Sequence, residues 1–233
     1  MKQIAVLPAL LTIGNLLCGF AAVVAASDAI SAAPLERGFE LAAYFILLGI
    51  VCDGLDGRGA RAARVESPFG AQLDSMADLT TFGVAPALLV RNYCLQLFDR
   101  TSGPLSREEF LWWIGGIYVV CAALRLARFN VQYARSDPRK HDSFRGLPSP
   151  AAAGLVASAV LFAEWPWRHA TDVFSVLQRI LHHALPVLAV CAAVAMVLSV
   201  PYVHMLNHLL RGRKPFRTVV VTWSWFPCGV PAQ

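Results

Sequence analysis

Residues 53–78 read DGLDGRGARAARVESPFGAQLDSMAD. Four aspartates, Asp53, Asp56, Asp74 and Asp78, fall within these 26 residues. The residues on either side, 41–52 and 79–90, contain no charged side chain. An ionised carboxylate at membrane depth costs about 3 kcal/mol or more unless it is paired or faces a polar cavity. Four such groups flanked by apolar sequence therefore ask for a shared, compensated site.

The rest of the chain says that the flanks do belong in a bilayer. Of its 233 residues 57% are hydrophobic and only 15% are charged, where a soluble domain carries about 25% charged residues. Ile4 to Ala26 contains no charge. It is too long for a signal-peptide core and is read as a retained helix rather than a cleaved signal. Six candidate spans follow: Ile4–Ala26, Leu41–Ala63, Ala71–Gln96, Phe110–Val131, Ala151–Trp165 and Leu185–Leu206. The expected fold is an all-α integral membrane bundle of about six transmembrane helices. Residues 1–218 are expected to form one transmembrane domain, and 219–233 a tail of unassigned role.

Basic residues set the orientation. Fourteen of the 20 Lys and Arg residues fall at the N-terminus, in the turn after the second span, around the end of the fourth span and in the tail. That bias predicts both termini and the acidic turn on the cytoplasmic side, in what is expected to be a prokaryotic plasma (inner) membrane. The net charge of +5 suits an anionic membrane surface or substrate rather than nucleic acid, because no soluble basic domain exists to carry it. The six cysteines form no C-x-x-C pair and read as small buried hydrophobes.

Spacing gives the acids a geometry. Asp53 and Asp56 are three apart, and Asp74 and Asp78 four apart, so each pair shares a helix face. Two helices joined by a short turn are antiparallel neighbours, and their acidic faces can enter one cavity. Oxygen-only ligands favour hard divalent ions, Mg²⁺ or Mn²⁺. Two ions about 3.5–4 Å apart would suit four carboxylates and displacement at phosphorus. Gly54, Gly57, Gly59 and Ala60 permit close approach of helix or phosphate, and Arg61 can offer its donor fork to a phosphate oxygen. Two other readings stay open from these residues alone: intramembrane ion pairs such as Asp56 with Arg61, and the pathway of a cation transporter.

The same string fits D-x-x-D-G-x-x-A-R, eight residues, then G-x-x-x-D-x-x-x-D, through Asp53, Asp56, Gly57, Ala60, Arg61, Gly70, Asp74 and Asp78. In this it resembles the CDP-alcohol phosphotransferase family, also called CDP-alcohol phosphatidyltransferases. LPALLTIGNLLCGF (7–20), DSMADLTTFGVAPA (74–87), RLARFN (125–130) and FRGLPSP (144–150) resemble the membrane-embedded phosphatidylserine synthase branch. The resemblance implies transfer of the phosphatidyl group of CDP-diacylglycerol to L-serine with release of CMP, a homodimer, and two divalent ions. It further implies that Asp53 and Asp74 bridge both ions, Asp56 and Asp78 complete one shell each, and Asp78 is the general base. Gly57, Arg61 and Ser67 would contact the CDP-diacylglycerol head group.

Thr12 and Asn15 are polar residues in an otherwise apolar span. They are read as contacts to the CDP moiety, with helix–helix hydrogen bonding as the alternative. Arg125 and Arg128, three apart, suit the carboxylate of serine or, alternatively, lipid phosphates. Asn130 and Ser149 join them as serine contacts. The acceptor stays open between serine and choline, inositol phosphate or glycerol phosphate.

Overall fold

The computed structural model describes residues 6–31, 37–63, 68–97, 107–135, 146–164 and 172–198. These residues all lie within one compact unit, residues 1–200. The expected tail at 219–233 lies outside the described residues.

Apart from Arg37, Gly146, Leu147, Pro148 and Leu198, the described residues are helical, with no strand among them. The helices are α1 (Val6–Ser31), α2 (Gly38–Ala63), α3 (Pro68–Asp78), α4 (Ala85–Leu97), α5 (Arg107–Arg135), α6 (Ser149–Glu164) and α7 (Asp172–Val197). A π-helical segment, Leu79–Val84, joins α3 to α4, so the expected third span is one rod with a widened turn in its middle.

Among the described residues, four stretches are long and apolar enough to cross a membrane: Ala9–Ile30, Gly38–Asp56, Phe69–Gln96 and Glu108–Val131. The fifth and sixth expected spans correspond to shorter apolar helices, Ser149–Glu164 and His183–Val197. At 1.5 Å per residue the 16 residues of α6 reach about 24 Å, short of a hydrocarbon core of about 30 Å. Helix α7 begins at Asp172, thirteen residues before the expected Leu185. Its first half mixes Gln178, Arg179, His182 and His183 into the apolar residues, which hides it from a hydropathy reading, and Pro186 sits inside it without ending it. Helix α1 runs past Ala26 to Ser31, and Ser27 satisfies its hydroxyl within the helix by donating to the Val23 carbonyl (2.8 Å).

Cross-helix contacts give the topology. A methyl group added at Gly38 would meet Ala29, one at Gly49 would meet Asn15 and Cys18, and one at Gly14 would meet Cys52. Thr12 bonds Asp56. Rising numbers on α2 pair with falling numbers on α1, so the two are antiparallel. Along the third rod, Asp78 faces Asn15 and Asn92 faces Ala26, which makes it parallel to α1. Helix α5 returns beside it, pairing Asn130 with Ser75 and Glu108 with Arg91.

The core that holds these rods together is rich in small residues, with Ala22, Ala26, Ala42, Ala43, Ala122, Ala152 and Ala157 all buried. Small side chains let backbones approach when lipid offers no hydrophobic gain between helices. Leu10, Ile13, Leu17, Phe20 and Val24 on α1 and Trp112 and Trp113 on α5 are exposed. This outward display of large apolar groups is the reverse of a soluble protein's surface.

Candidate active site

Every polar residue that sequence reading singled out, and that the structure describes, lies at one end of the bundle. The N-terminal half of α1, the C-terminal part of α2, α3, the end of α5 and the start of α6 meet there.

One carboxylate oxygen each from Asp53 and Asp56 on α2 and Asp74 on α3 lie within 4.8 Å of one another. Asp56 is buried and the other two half-buried. The placement follows from the helix period, since α2 turns Asp53 and Asp56 to one side and the neighbouring rod brings Asp74 across. Asp78, one turn further along, is not part of that close trio. It sits within Coulombic range of all three and accepts a hydrogen bond on Oδ1 from Asn15 Nδ2 (3.0 Å).

Helix α1 supplies the outer contacts to these acids. Thr12 donates its hydroxyl to Asp56 Oδ2 (3.2 Å), and both residues are buried. Thr12 and Asn15 therefore touch carboxylates on α2 and α3, the helix–helix hydrogen bonding that stood as the alternative to nucleotide contact.

Arg125 on α5 donates to Ser149 Oγ at the start of α6 (2.7 Å), and its charge lies within range of Asp78 and Asp53. The position of Ser149 depends on the turn before it. Gly146 has φ +95°, a left-handed conformation that glycine adopts without strain. A methyl group there would also stand 2.7 Å from the Met196 carbonyl oxygen. The Leu147 N–H then bonds the Ala195 carbonyl (3.0 Å), anchoring this turn to the end of α7. Asn130 and Ser75 exchange hydrogen bonds of 3.0 and 3.3 Å, tying α5 to α3 beside Asp74. Arg128 is exposed on α5. Ser67 lies outside the described residues, and for Gly57 and Arg61 only the helical backbone is described.

Two residues at the site went unnamed in the sequence reading, Ser75 and Thr81. Ser75 carried a signal, since it follows Asp74 directly, whereas nothing in the sequence separates Thr81 from Thr80.

The donor set fits a divalent cation. It is made of oxygens only, and Asp74 Oδ1 is buried without a hydrogen-bond partner among the described residues. A buried carboxylate oxygen left unpaired is costly unless a cation completes it. Asp53, Asp56 and Asp74 would hold such an ion, with Asp78 alongside.

The sequence model of the CDP-alcohol phosphatidyltransferase family matches residues 5–200, which include all of these positions. The chain belongs to that family. As a CDP-alcohol phosphatidyltransferase with four helices of membrane-crossing length among its described residues, it is an integral membrane protein. It is similar to a Helicobacter pylori protein named CDP-diacylglycerol–serine O-phosphatidyltransferase, at 41% identity over 123 residues, covering 53% of this chain and 47% of the relative. Proteins of the same name from Mycobacterium tuberculosis (34% over 168 residues; 70% of this chain and 52% of the relative) and Bacillus subtilis (34% over 150 residues; 63% and 70%) are also similar. The chain spans about half the length of the Helicobacter and Mycobacterium relatives it matches.

Proposed function

We propose that this family member transfers the phosphatidyl group of CDP-diacylglycerol to L-serine, giving phosphatidylserine and CMP. The observation that carries the reading is the convergence of Asp53, Asp56 and Asp74 from two helices, with Asp78 and Arg125 beside them. The choice of serine is supported by the names of relatives 34–41% identical.

Each residue has a part. Asp78 takes the proton from the serine hydroxyl, whose oxygen forms the new bond to the lipid phosphorus as the anhydride oxygen departs with CMP. Arg125 receives the serine carboxylate with Ser149 holding the guanidinium in place, and Arg128 and Asn130 border the same end of α5. Gly57, Arg61 and Ser67 receive the nucleotide diphosphate. Thr12 and Asn15 border that nucleotide and keep Asp56 and Asp78 aimed inward. Asp53, Asp56, Asp74 and Asp78 would hold two divalent ions, Mg²⁺ or Mn²⁺. When bound, these ions offset the negative charge of the diphosphate and of the phosphorus undergoing displacement. The homodimer rests on the family resemblance. The cytoplasmic placement of the site rests on the basic-residue bias.

The test is a competition assay on protein purified in detergent with Mn²⁺ and CDP-diacylglycerol. Serine, choline, glycerol phosphate and inositol phosphate are offered together, and lipid products and CMP are quantified. Phosphatidylserine is the expected product. Another phospholipid as the main product would overturn the acceptor assignment. Failure to release CMP with any alcohol, alongside cation uptake into proteoliposomes, would replace the transferase by a transporter.

A further inference from the structure

The π-helical segment places one hydroxyl where no reaction group is needed. Thr81 is fully buried, and its Oγ1 donates to the backbone carbonyl of Asn15 on α1 (2.8 Å). A carbonyl oxygen has two lone pairs, so it can take this bond while serving α1 itself. The side chain of the same Asn15 donates to Asp78. Thr81, Asn15 and Asp78 thus form a closed loop: the third rod grips α1 at the backbone of Asn15, and Asn15 grips the third rod at Asp78.

Two glycines make room for the grip. A methyl group at Gly19 would stand 2.9 Å from Thr81 Cα, and one at Gly49 would stand 2.5 Å from Thr81 Cγ2 and 3.0 Å from Asn15 Oδ1. The α1–α2 pair is notched from both sides at the level of Thr81, and the notch fixes how far Asn15 stands from Asp78.

We infer that Thr81 is a positioning residue for Asp78, acting through Asn15. This rests on the reading of Asp78 as the group that serves the acceptor hydroxyl. A buried threonine that only satisfies its own hydroxyl would contribute to stability and not to turnover per site.

The experiment compares Thr81→Val, which keeps the shape and removes the donor, with Thr81→Ser, which keeps the donor. Sites are counted by equilibrium binding of CDP in Mn²⁺, thermal midpoints are recorded, and kcat is expressed per binding site. Thr81→Val is expected to lower kcat per site about tenfold, the lower end for loss of an outer partner of a ligating group. The number of CDP sites and the serine KM should stay within about twofold, and Thr81→Ser should restore kcat. The Asn15→Ala/Thr81→Val double variant should lose no more than Asn15→Ala alone, because residues acting through one contact do not add. Unchanged kcat per site in Thr81→Val, equal losses in the Val and Ser variants, or losses that multiply in the double variant would each overturn the inference while leaving the transferase reading intact. A wild-type protein that binds CDP yet releases no CMP would remove that reading, and the inference with it.

Discussion

Thr12→Val removes one hydroxyl from the site and keeps the side-chain shape. The lost bond runs from a buried donor to Asp56 Oδ2 at 3.2 Å. Hydrogen bonds to charged groups contribute about 1.5–3 kcal/mol, but an O–H···O bond is at its best near 2.7–2.8 Å. At 3.2 Å the lower end applies, so about 1.5 kcal/mol is expected. At about 1.4 kcal/mol per factor of ten, the divalent ion should bind about tenfold more weakly. An independent route gives the same scale, since loss of an outer partner of a metal ligand costs about 10- to 100-fold in affinity. The assay is the Mn²⁺ concentration giving half-maximal CMP release, checked by a Mn²⁺ titration of the thermal midpoint without substrate. Thr12→Ser retains the donor and should behave as the parent. A half-saturating concentration within twofold of the parent for Thr12→Val, or an equal shift for the Ser variant, would refute the claim that Thr12 orients Asp56.

Further outcomes follow from the same geometry. Asp78→Asn should reduce CMP release at least 100-fold, in line with loss of a general base, with the nucleotide still bound; normal turnover would remove Asp78 from that role. Arg125→Gln should raise the serine KM about tenfold or more, the scale of a charge-assisted hydrogen bond, and leave the KM for CDP-diacylglycerol within twofold; initial rates at varied serine decide it. Gly19→Ala pushes a methyl group against the Thr81 backbone, and overpacking of this kind destabilises by about 1–3 kcal/mol, which a lowered thermal midpoint in detergent would register.

Much of the site was legible in the sequence for one physical reason. A carboxylate between apolar stretches is too costly to be incidental, so Asp53, Asp56, Asp74 and Asp78 announce themselves, and helical spacing says which way each pair faces. Thr12 and Asn15 were legible as polar residues in an apolar span, but not their partners. Those partners depend on how far α1 slides along α2 and the third rod, which is set by notches at Gly19, Gly38 and Gly49 that only packing reveals. Thr81 was hidden because a threonine in a membrane helix can satisfy itself on its own backbone, as Thr80 does on the Met76 carbonyl (3.0 Å). The two neighbours are chemically identical, and only the three-dimensional register separates the one that reaches across from the one that does not. The start of α7 was concealed by polar residues mixed into its first turns, where hydropathy averages toward zero.

The widened turn between Asp78 and Ala85 also has a mechanical meaning. An α-helix advances about 100° per residue, whereas a wider turn takes up additional chain without a matching rotation. The lower half of the rod, with its acids, and the upper half, where Tyr93 sits edge-on to Phe39 at 5.3 Å, are therefore set at angles that uniform winding could not satisfy together. Winding the present residues of this segment uniformly would swing one half by about 100° out of register with its neighbours, while removing the one extra residue would close the wide turn and leave both halves near their present bearings. The rod behaves as two keys cut on one shank, each turned to its own lock.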